Sequence, residues 1–250
     1  HPPVLFLGFA STIVPFAFAV AGLWTKKFGD WVKQALPWAL FSAATLGVGI
    51  MMGAMWAYES LTFGGYWAWD PVENASLVPW MVLIAGIHTL LIYKHSGHSL
   101  RATHLFFILS FWFILYSTFL TRSGILGEAS VHAFTDLGMN WQLLGFLLIF
   151  VLPALGLFFA RYSDIPVVQK EESASSREFW MFIGALVFFL SAIVIIGKTS
   201  LPVFNKLFGA KIAPPEDAEF AYNSIQVYVA VIVALLTAAG QYLKYKETPG

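Results

Sequence analysis

Seven long apolar runs dominate the sequence, and short polar segments separate them. Each run is close to the roughly 20 residues that a helix needs to cross a bilayer. Helices are expected because an isolated strand in lipid would leave its backbone polar groups without partners. The sequence therefore predicts an all-α fold, a polytopic transmembrane helix bundle of about seven helices that forms one unit over residues 1–250. The runs cover residues 3–24, 35–58, 71–93, 102–120, 140–160, 178–197 and 223–243.

Composition excludes several other kinds of protein. Apolar residues make up 58% of the chain and charged residues 11%, whereas soluble domains are about 25% charged. The absence of cysteine excludes a disulfide framework, a thiolate metal centre and an iron–sulfur cluster built from these residues. The formal net charge is zero, so we expect no nucleic-acid partner. Since the first residue is His1, we interpret the chain as a piece of a longer protein.

Lysine and arginine are distributed unevenly between alternate loops, ten in one set and four in the other. The positive-inside rule assigns the richer set to the cytoplasm. The other side of the membrane then carries His1 and three external segments, 59–76, 121–139 and 198–222.

The segment 59–76 ends in a pattern that begins a helix. Asp70 is a suitable N-cap, Pro71 fits the first helical position, and Glu73 stands where a capping box needs it. Helix capping and a direct functional role of the Asp70 carboxylate both remain open at this point.

Three aromatic residues, Tyr66, Trp67 and Trp69, precede this helix start and follow a glycine pair. They fit an aromatic belt at the depth of the lipid headgroups. They also fit a broad apolar surface with N–H and O–H donors at its edge, suited to a large flat amphiphile. Both interpretations remain open.

His88 lies within the third apolar run, where an ionisable side chain is costly and is a candidate for function. It could form an interhelical hydrogen bond, or it could bind the iron of a buried haem. We expect no other intramembrane histidine, so a second iron ligand would lie outside this chain. His95, His98 and His104 are expected to be solvated in a cytoplasmic loop.

His1 and His132 are both expected on the external side, flanking the aromatic segment. Two neutral imidazoles that converge there would suit bis-histidine ligation of a porphyrin iron. We therefore expect His1, the loop 64–70 and His132 to surround one outward-facing cavity. Arg122 is one of only four basic residues on this side, and its partner is a nearby carboxylate (Glu128 or Asp136) or a haem propionate.

Residues 64–80, GGYWAWDPVENASLVPW, resemble the tryptophan-rich WWD motif of haem-handling membrane proteins. The DPVENAS continuation is similar to the CcmF/NrfE-type branch of cytochrome c haem lyases. His1-Pro2-Pro3 resembles the first external histidine segment of that branch, and residues 120–124 with 130–134 resemble the second. The sequence departs from the family at Phe63, where the family often has Trp, and at residues 127–129, which resemble a small insertion.

The resemblance implies a lyase of the bacterial inner membrane with its active face in the periplasm. It implies that haem comes from the chaperone CcmE, that CcmH is a partner, and that the vinyl groups of haem are joined to the CxxCH thiols of apocytochrome c. It assigns the substrate iron to His1 and His132, and a resident haem b to His88. Quinol is the electron source that it suggests.

The remaining roles at the external site are hypotheses for haem as substrate. Tyr66, Trp67 and Trp69, with the adjacent Asp70, would support the macrocycle. Arg122 would orient a propionate. Proximity of vinyl and thiol groups would then drive the reaction.

Two other classes of function remain open. A haem exporter should show a polar path across the membrane, whereas the polar features of this sequence gather on the external side. A quinol-linked electron-transfer subunit would need paired intramembrane histidines, and we expect His88 alone in this chain.

Overall fold

The structure is a computed structural model that describes residues 1–60, 65–127, 130, 138–169 and 173–245. Over these residues the chain forms nine α-helices and no strands. The helices are α1 (Pro2–Ser11), α2 (Ile13–Trp24), α3 (Val32–Ser60), α4 (Pro71–Ser96), α5 (Leu100–Arg122), α6 (Asn140–Arg161), α7 (Arg177–Thr199), α8 (Leu201–Phe208) and α9 (Ala218–Gly240).

Seven segments of the described chain are long and apolar enough to cross a membrane. Helices α1 and α2 together form one of them, Pro2–Trp24, and α3, α4, α5, α6, α7 and α9 are the other six. The predicted all-α transmembrane bundle is therefore confirmed.

Successive loops alternate between two ends of the bundle. We call the end that carries residues 65–70 the aromatic end, and the opposite one the basic end. At the aromatic end, the indole N–H of Trp69 donates to Oδ1 of Asn223 over 2.9 Å. At the basic end, the Arg101 guanidinium lies 4.2 Å from the ring centroid of Tyr162. Residues distant in sequence thus meet at each end.

Helices α4 and α5 form the centre of the bundle. In the most apolar 18-residue window of each, 72% of the residues are buried, against 33% in α3 and in α7. Gly86 of α4 allows this contact, because a Cβ there would lie 2.9 Å from the Phe107 ring of α5. The hydroxyl of Ser117 in α5 also donates to the carbonyl of Ala75 in α4. Within a bilayer, van der Waals packing and hydrogen bonds of this kind hold helices together.

The first apolar run is divided into two helices at Thr12, a division that hydropathy did not predict. Pro15 has no N–H to donate to the carbonyl of Ser11, so the helical ladder loses a bond at this point. At the end of α1, the hydroxyls of Ser11 and Thr12 donate to the carbonyls of Gly8 and Phe9, over 2.8 and 2.6 Å.

His104 is a correction to the sequence analysis. It was expected in a solvated loop, but it lies in α5 and is fully buried. Its Nδ1 is 3.1 Å from the carbonyl oxygen of Ala19, and its Nε2 is 2.9 Å from that of Phe28. The carbonyl of Phe28, which lies outside any helix, also accepts the indole N–H of Trp31 over 2.7 Å, so His104 is one of two side chains at this oxygen. His88 is therefore not the only histidine within a helix long and apolar enough to cross a membrane.

The predicted external loop 198–222 contains two helical pieces. Helix α8 lies within it, too short to register as an apolar run of transmembrane length. Helix α9 begins at Ala218 rather than near 223, because Asp217 caps it by accepting the backbone N–H of Phe220 over 2.8 Å.

Helices α1 and α3 approach each other through two glycines. A Cβ at Gly8 would lie 2.6 Å from the Cα of Leu46, and a Cβ at Gly49 would lie 2.7 Å from the Cα of Leu5. Because backbone atoms occupy these positions, neither site accepts a side chain unless the helices separate. Small residues at membrane helix interfaces permit this kind of close packing.

We predict that Gly49→Ala forces α1 away from α3 and lowers the free energy of unfolding by about 1–3 kcal/mol, the usual cost of overpacking. Thermal unfolding of the full-length protein in detergent measures this change. Gly145→Ala in α6 is the control, since a Cβ there has no neighbour within 4 Å. Equal stability of the two variants would contradict the close contact.

Candidate functional site

The start of α4 has the capping box that the sequence predicts. Oδ1 of Asp70 accepts the backbone N–H of Val72 over 2.8 Å, and Oε2 of Glu73 accepts the backbone N–H of Asp70 over 3.1 Å. Oε2 of Glu73 also accepts the N–H of Ala68 over 3.0 Å. Two carboxylates therefore fix the backbone of the aromatic loop to the first turn of α4.

Trp69 contacts residues that are distant from it in sequence. Its backbone has φ +58°, an uncommon value for a residue that has a side chain. Its ring stacks on Tyr222 of α9, with centroids 4.9 Å apart and planes 9° apart. Its carbonyl accepts a hydrogen bond from Nδ2 of Asn74 over 2.9 Å, and Asn74 also donates to Thr199 of α7. These contacts join the loop to α4, α7 and α9.

The three loop aromatics do not form one flat surface in this structure. The ring of Tyr66 stacks on Tyr58 of α3, with centroids 4.4 Å apart and planes 11° apart. The rings of Trp67 and Trp69 are nearly perpendicular, at 88°. Each ring thus contacts a different part of the bundle.

His1 and Trp67 line the same cavity at the aromatic end, together with residues of α1, α3 and α4 that include Trp56 and Glu73. The indole Nε1 of Trp67 is buried and has no hydrogen-bond partner among the described residues. The cavity has a volume of about 90 Å³, below the roughly 300–1,000 Å³ of small-molecule pockets. A large ligand would therefore have to lie across its mouth.

His132 lies outside the described residues, as do Glu128 and Asp136, the carboxylates considered as partners of Arg122. Ser130 is described and buried, and its hydroxyl donates to Oδ1 of Asp70 over 2.7 Å. The chain two residues before His132 is thus attached to the aromatic loop. Arg122 is the last residue of α5 and is half-buried at this same end.

His88 lies on the opposite side of α4's midpoint from this cavity and lines a different one, of about 410 Å³, between α4, α7 and α9. Its Nδ1 is 2.8 Å from the carbonyl oxygen of Ile84, a contact in which Nδ1 carries the proton and Nε2 keeps its lone pair. Metal-bound histidines are oriented in this way. Within this chain, His88 is suited to supply one axial ligand to a haem iron.

The other two histidines of the predicted loop lie at the basic end. His95 is in the last turn of α4 and stacks on Tyr245, with centroids 4.0 Å apart. Nδ1 of His98 lies 3.1 Å from the hydroxyl of Ser96. The described residues contain no group of three or more histidine, aspartate or glutamate side chains that could hold a metal ion.

Six residues of α3 that sequence reasoning did not select also line the His1 cavity. Two of them, Gly53 and Trp56, lie three positions apart and so on one helix face. The spacing of Gly49, Gly53 and Trp56 could have indicated this face, but an apolar run shows no such distinction by hydropathy.

Comparisons with known proteins identify the family of the chain. The sequence profile of the family described as cytochrome C assembly protein matches residues 1–126. The cytochrome c-type biogenesis protein CcmF of Pseudomonas aeruginosa is 39% identical over 256 residues, covering 100% of this chain and 37% of that protein. CcmF of Escherichia coli K12 is 33% identical, covering 98% and 37%. NrfE of Haemophilus influenzae is 42% identical, covering 64% and 25%.

A solved structure of the cytochrome c heme lyase CcmF has the same fold, with a TM-score of 0.75 and 33% sequence identity. The match covers 100% of this chain and 36% of that one. The chain spans a little over a third of the length of the curated relatives it matches most fully.

We predict that Asp70→Asn leaves stability nearly unchanged, because the amide oxygen can accept from both Val72 and Ser130. Asp70→Ala should cost about 1 kcal/mol for the cap and about 1 kcal/mol for the bond to Ser130. Thermal unfolding measures both changes.

Asp217→Ala is the matched control, because it also removes an N-cap at this end of the bundle. Asp217 differs from Asp70 in that it accepts no hydrogen bond from Ser130. Asp70→Ala should therefore be the more destabilising of the two alanine variants. If Asp70→Asn instead abolished cytochrome maturation at normal protein level, the negative charge itself would be required and the capping interpretation would be wrong.

Proposed function

The chain belongs to the cytochrome c assembly protein family, within its CcmF and NrfE branch, and we propose that it carries the haem-docking part of a cytochrome c haem lyase. The lyase holds substrate haem at the aromatic end of a multi-pass membrane bundle. There it joins the two vinyl groups of haem to the CxxCH thiols of apocytochrome c.

The observation that carries the proposal is the cavity shared by His1 and Trp67. Oδ1 of Asp70, in the same loop as Trp67, binds the hydroxyl of Ser130. Ser130 stands two positions before His132 in the sequence, and the proposal places His132 at this same end of the bundle. Two imidazoles at one end of the bundle could then ligate one iron.

The volume of the cavity constrains how haem binds in this proposal. The macrocycle lies across the cavity mouth, with the imidazole of His1 below it and Trp67 against one face. Tyr66, stacked on Tyr58 of α3, and Trp69, stacked on Tyr222 of α9, lie at its border. The Arg122 guanidinium binds a propionate, for which its planar fork of donors is well suited.

The bond-forming step is an addition that needs no cysteine from this chain. The thiol sulfur bonds to the vinyl carbon next to the porphyrin ring, and the thiol proton ends on the terminal vinyl carbon. No electrons are gained or lost. The protein holds the vinyl group beside the substrate thiol. The two groups then react without the loss of translational and rotational entropy that an encounter in solution would cost.

We also propose that His88 would hold a resident haem b through Nε2, together with a ligand from outside this chain. This cofactor would supply one-electron transfer that keeps the substrate iron reduced, with quinol as electron source. His88 contributes the oriented imidazole, and α7 and α9 contribute the apolar walls.

Partners and location follow from the same proposal. Haem arrives from the chaperone CcmE, and CcmH assists with the apocytochrome. The excess of ten basic residues over four favours a cytoplasmic basic end, and therefore a periplasmic aromatic end, in a bacterial inner membrane. Lipid surrounds the bundle, and no nucleic acid takes part.

A haem exporter is supported less well. An exporter needs a polar path between the two faces, but the cavity of His88 and the cavity of His1 have no lining residue in common. An electron-transfer subunit would leave the external histidines without a role.

We predict that His88→Ala in the full-length protein removes the reduced-minus-oxidised spectrum of the resident haem, because a site enclosed by helices offers no replacement ligand. His1→Ala and His132→Ala should preserve that spectrum and stop cytochrome maturation. Added imidazole should partly restore maturation in the two external variants.

The assignment of two separate haem sites would be contradicted if His132→Ala lost the resident haem while His88→Ala retained it. In that case His88 would be a helix-packing residue.

A further inference from the structure

The imidazole of His1 rests on α3 rather than projecting freely. Its ring centroid is 5.3 Å from that of Trp56, and the two planes are inclined at 34°. Gly53 of α3 also lies beside the ring, since a Cβ there would lie 3.4 Å from Cδ2 and 3.8 Å from Nε2 of His1. The ring therefore lies in the space that the missing side chain of Gly53 leaves and against the indole of Trp56.

The backbone of His1 is fixed as well. Its carbonyl accepts the N–H groups of Val4 and Leu5, over 3.1 and 3.2 Å, as the N-cap residue of α1. Helix α1 is itself held on α3 by the backbone contact at Gly49. The side-chain torsions are the degrees of freedom that remain for the imidazole.

We propose that Trp56 and Gly53 are positioning residues that set the plane of the His1 imidazole for iron ligation. The inference rests on the proposed function, because it assumes that His1 binds substrate haem. Gly53 provides the space beside Nε2, and the Trp56 indole restricts rotation of the ring within that space.

The expected size of the effect follows from side-chain entropy. Ordering one mobile side chain costs about 0.5–1.5 kcal/mol. Because the native site orders the imidazole before haem binds, loss of the Trp56 indole should weaken haem retention at the external site about 2- to 12-fold, at about 1.4 kcal/mol for each factor of ten. The backbone of α3 does not depend on this indole, so the fold should persist.

The test uses full-length protein loaded with haem and compares Trp56→Ala, Trp56→Phe and Trp141→Ala. Trp141 is the matched control, since it lies at the same end of the bundle, is 81% exposed, and has no ring contact within the described residues. The readouts are haem retained at the external site and the ferric low-spin electron paramagnetic resonance signal, which depends on the angle between the imidazole planes.

Trp56→Ala should lower haem retention, broaden or shift that low-spin signal, and leave the signal of the resident haem unchanged. Trp56→Phe should restore most of both properties, because it keeps a flat ring. Added imidazole should partly restore haem retention in Trp56→Ala. Trp141→Ala should resemble the unmodified protein.

A second pair of variants examines the space beside the ring. Gly53→Val adds methyl groups beyond a Cβ that already touches Cδ2 of His1, so it should displace the imidazole and reproduce the Trp56→Ala spectrum. Gly145→Val is its control for the loss of helix propensity, since its surroundings are open.

The outcomes separate this inference from the function on which it rests. If His1→Ala does not change the external haem spectrum, the proposed docking function is wrong. If His1→Ala changes it while Trp56→Ala and Gly53→Val behave like their controls, docking stands and the positioning role is overturned.

Discussion

Oδ1 of Asp70 is the atom on which the aromatic end depends. It accepts one hydrogen bond from the first turn of α4 and another from Ser130, sixty positions later in the chain. A single oxygen thus starts a membrane helix and attaches the segment that leads to His132. Because Asp70 is nearly buried, water cannot easily replace either bond. The same carboxylate oxygen therefore caps α4 and holds Ser130.

The rest of the bundle keeps this end in place. Helices α4 and α5 pack face to face through Gly86, and α1 packs on α3 through Gly49. A Cβ at Gly86 would meet the Phe107 ring and a Cβ at Gly49 would meet the backbone of α1, so neither position accepts a side chain without a shift. The contact at Gly49 leaves little freedom for His1 at the end of α1. Trp69, stacked on Tyr222, connects the loop to α9 on the far side. The candidate site lies where four helices converge on a short loop.

Features that depend on neighbours within a turn or two were predictable from sequence. Hydropathy located the seven spans, and residue spacing predicted the capping box of Asp70 and Glu73. Contacts between distant residues were not predictable. Trp69 binds a partner 154 positions away, and the ring nitrogens of His104 lie against the carbonyls of Ala19 and Phe28, 85 and 76 positions away. Local pattern contains no information about such pairings, so a histidine beside charged residues was assigned to a loop.

Membership of the family was also accessible, since residues 64–80 carry a distinctive motif. The contacts of His1 with Gly53 and Trp56 were not predictable. Glycine and tryptophan within an apolar run have ordinary packing roles, and their relation to His1 depends on how α1 lies on α3.

The central claim is that His1 and His132 converge on one haem iron at the aromatic end. Cryo-electron microscopy of the full-length protein with substrate haem bound tests it most directly. The account predicts iron coordinated by both imidazoles, with Trp67 against the macrocycle. Haem bound at that end without either histidine as ligand, or His1 and His132 on opposite faces of the membrane, would contradict it.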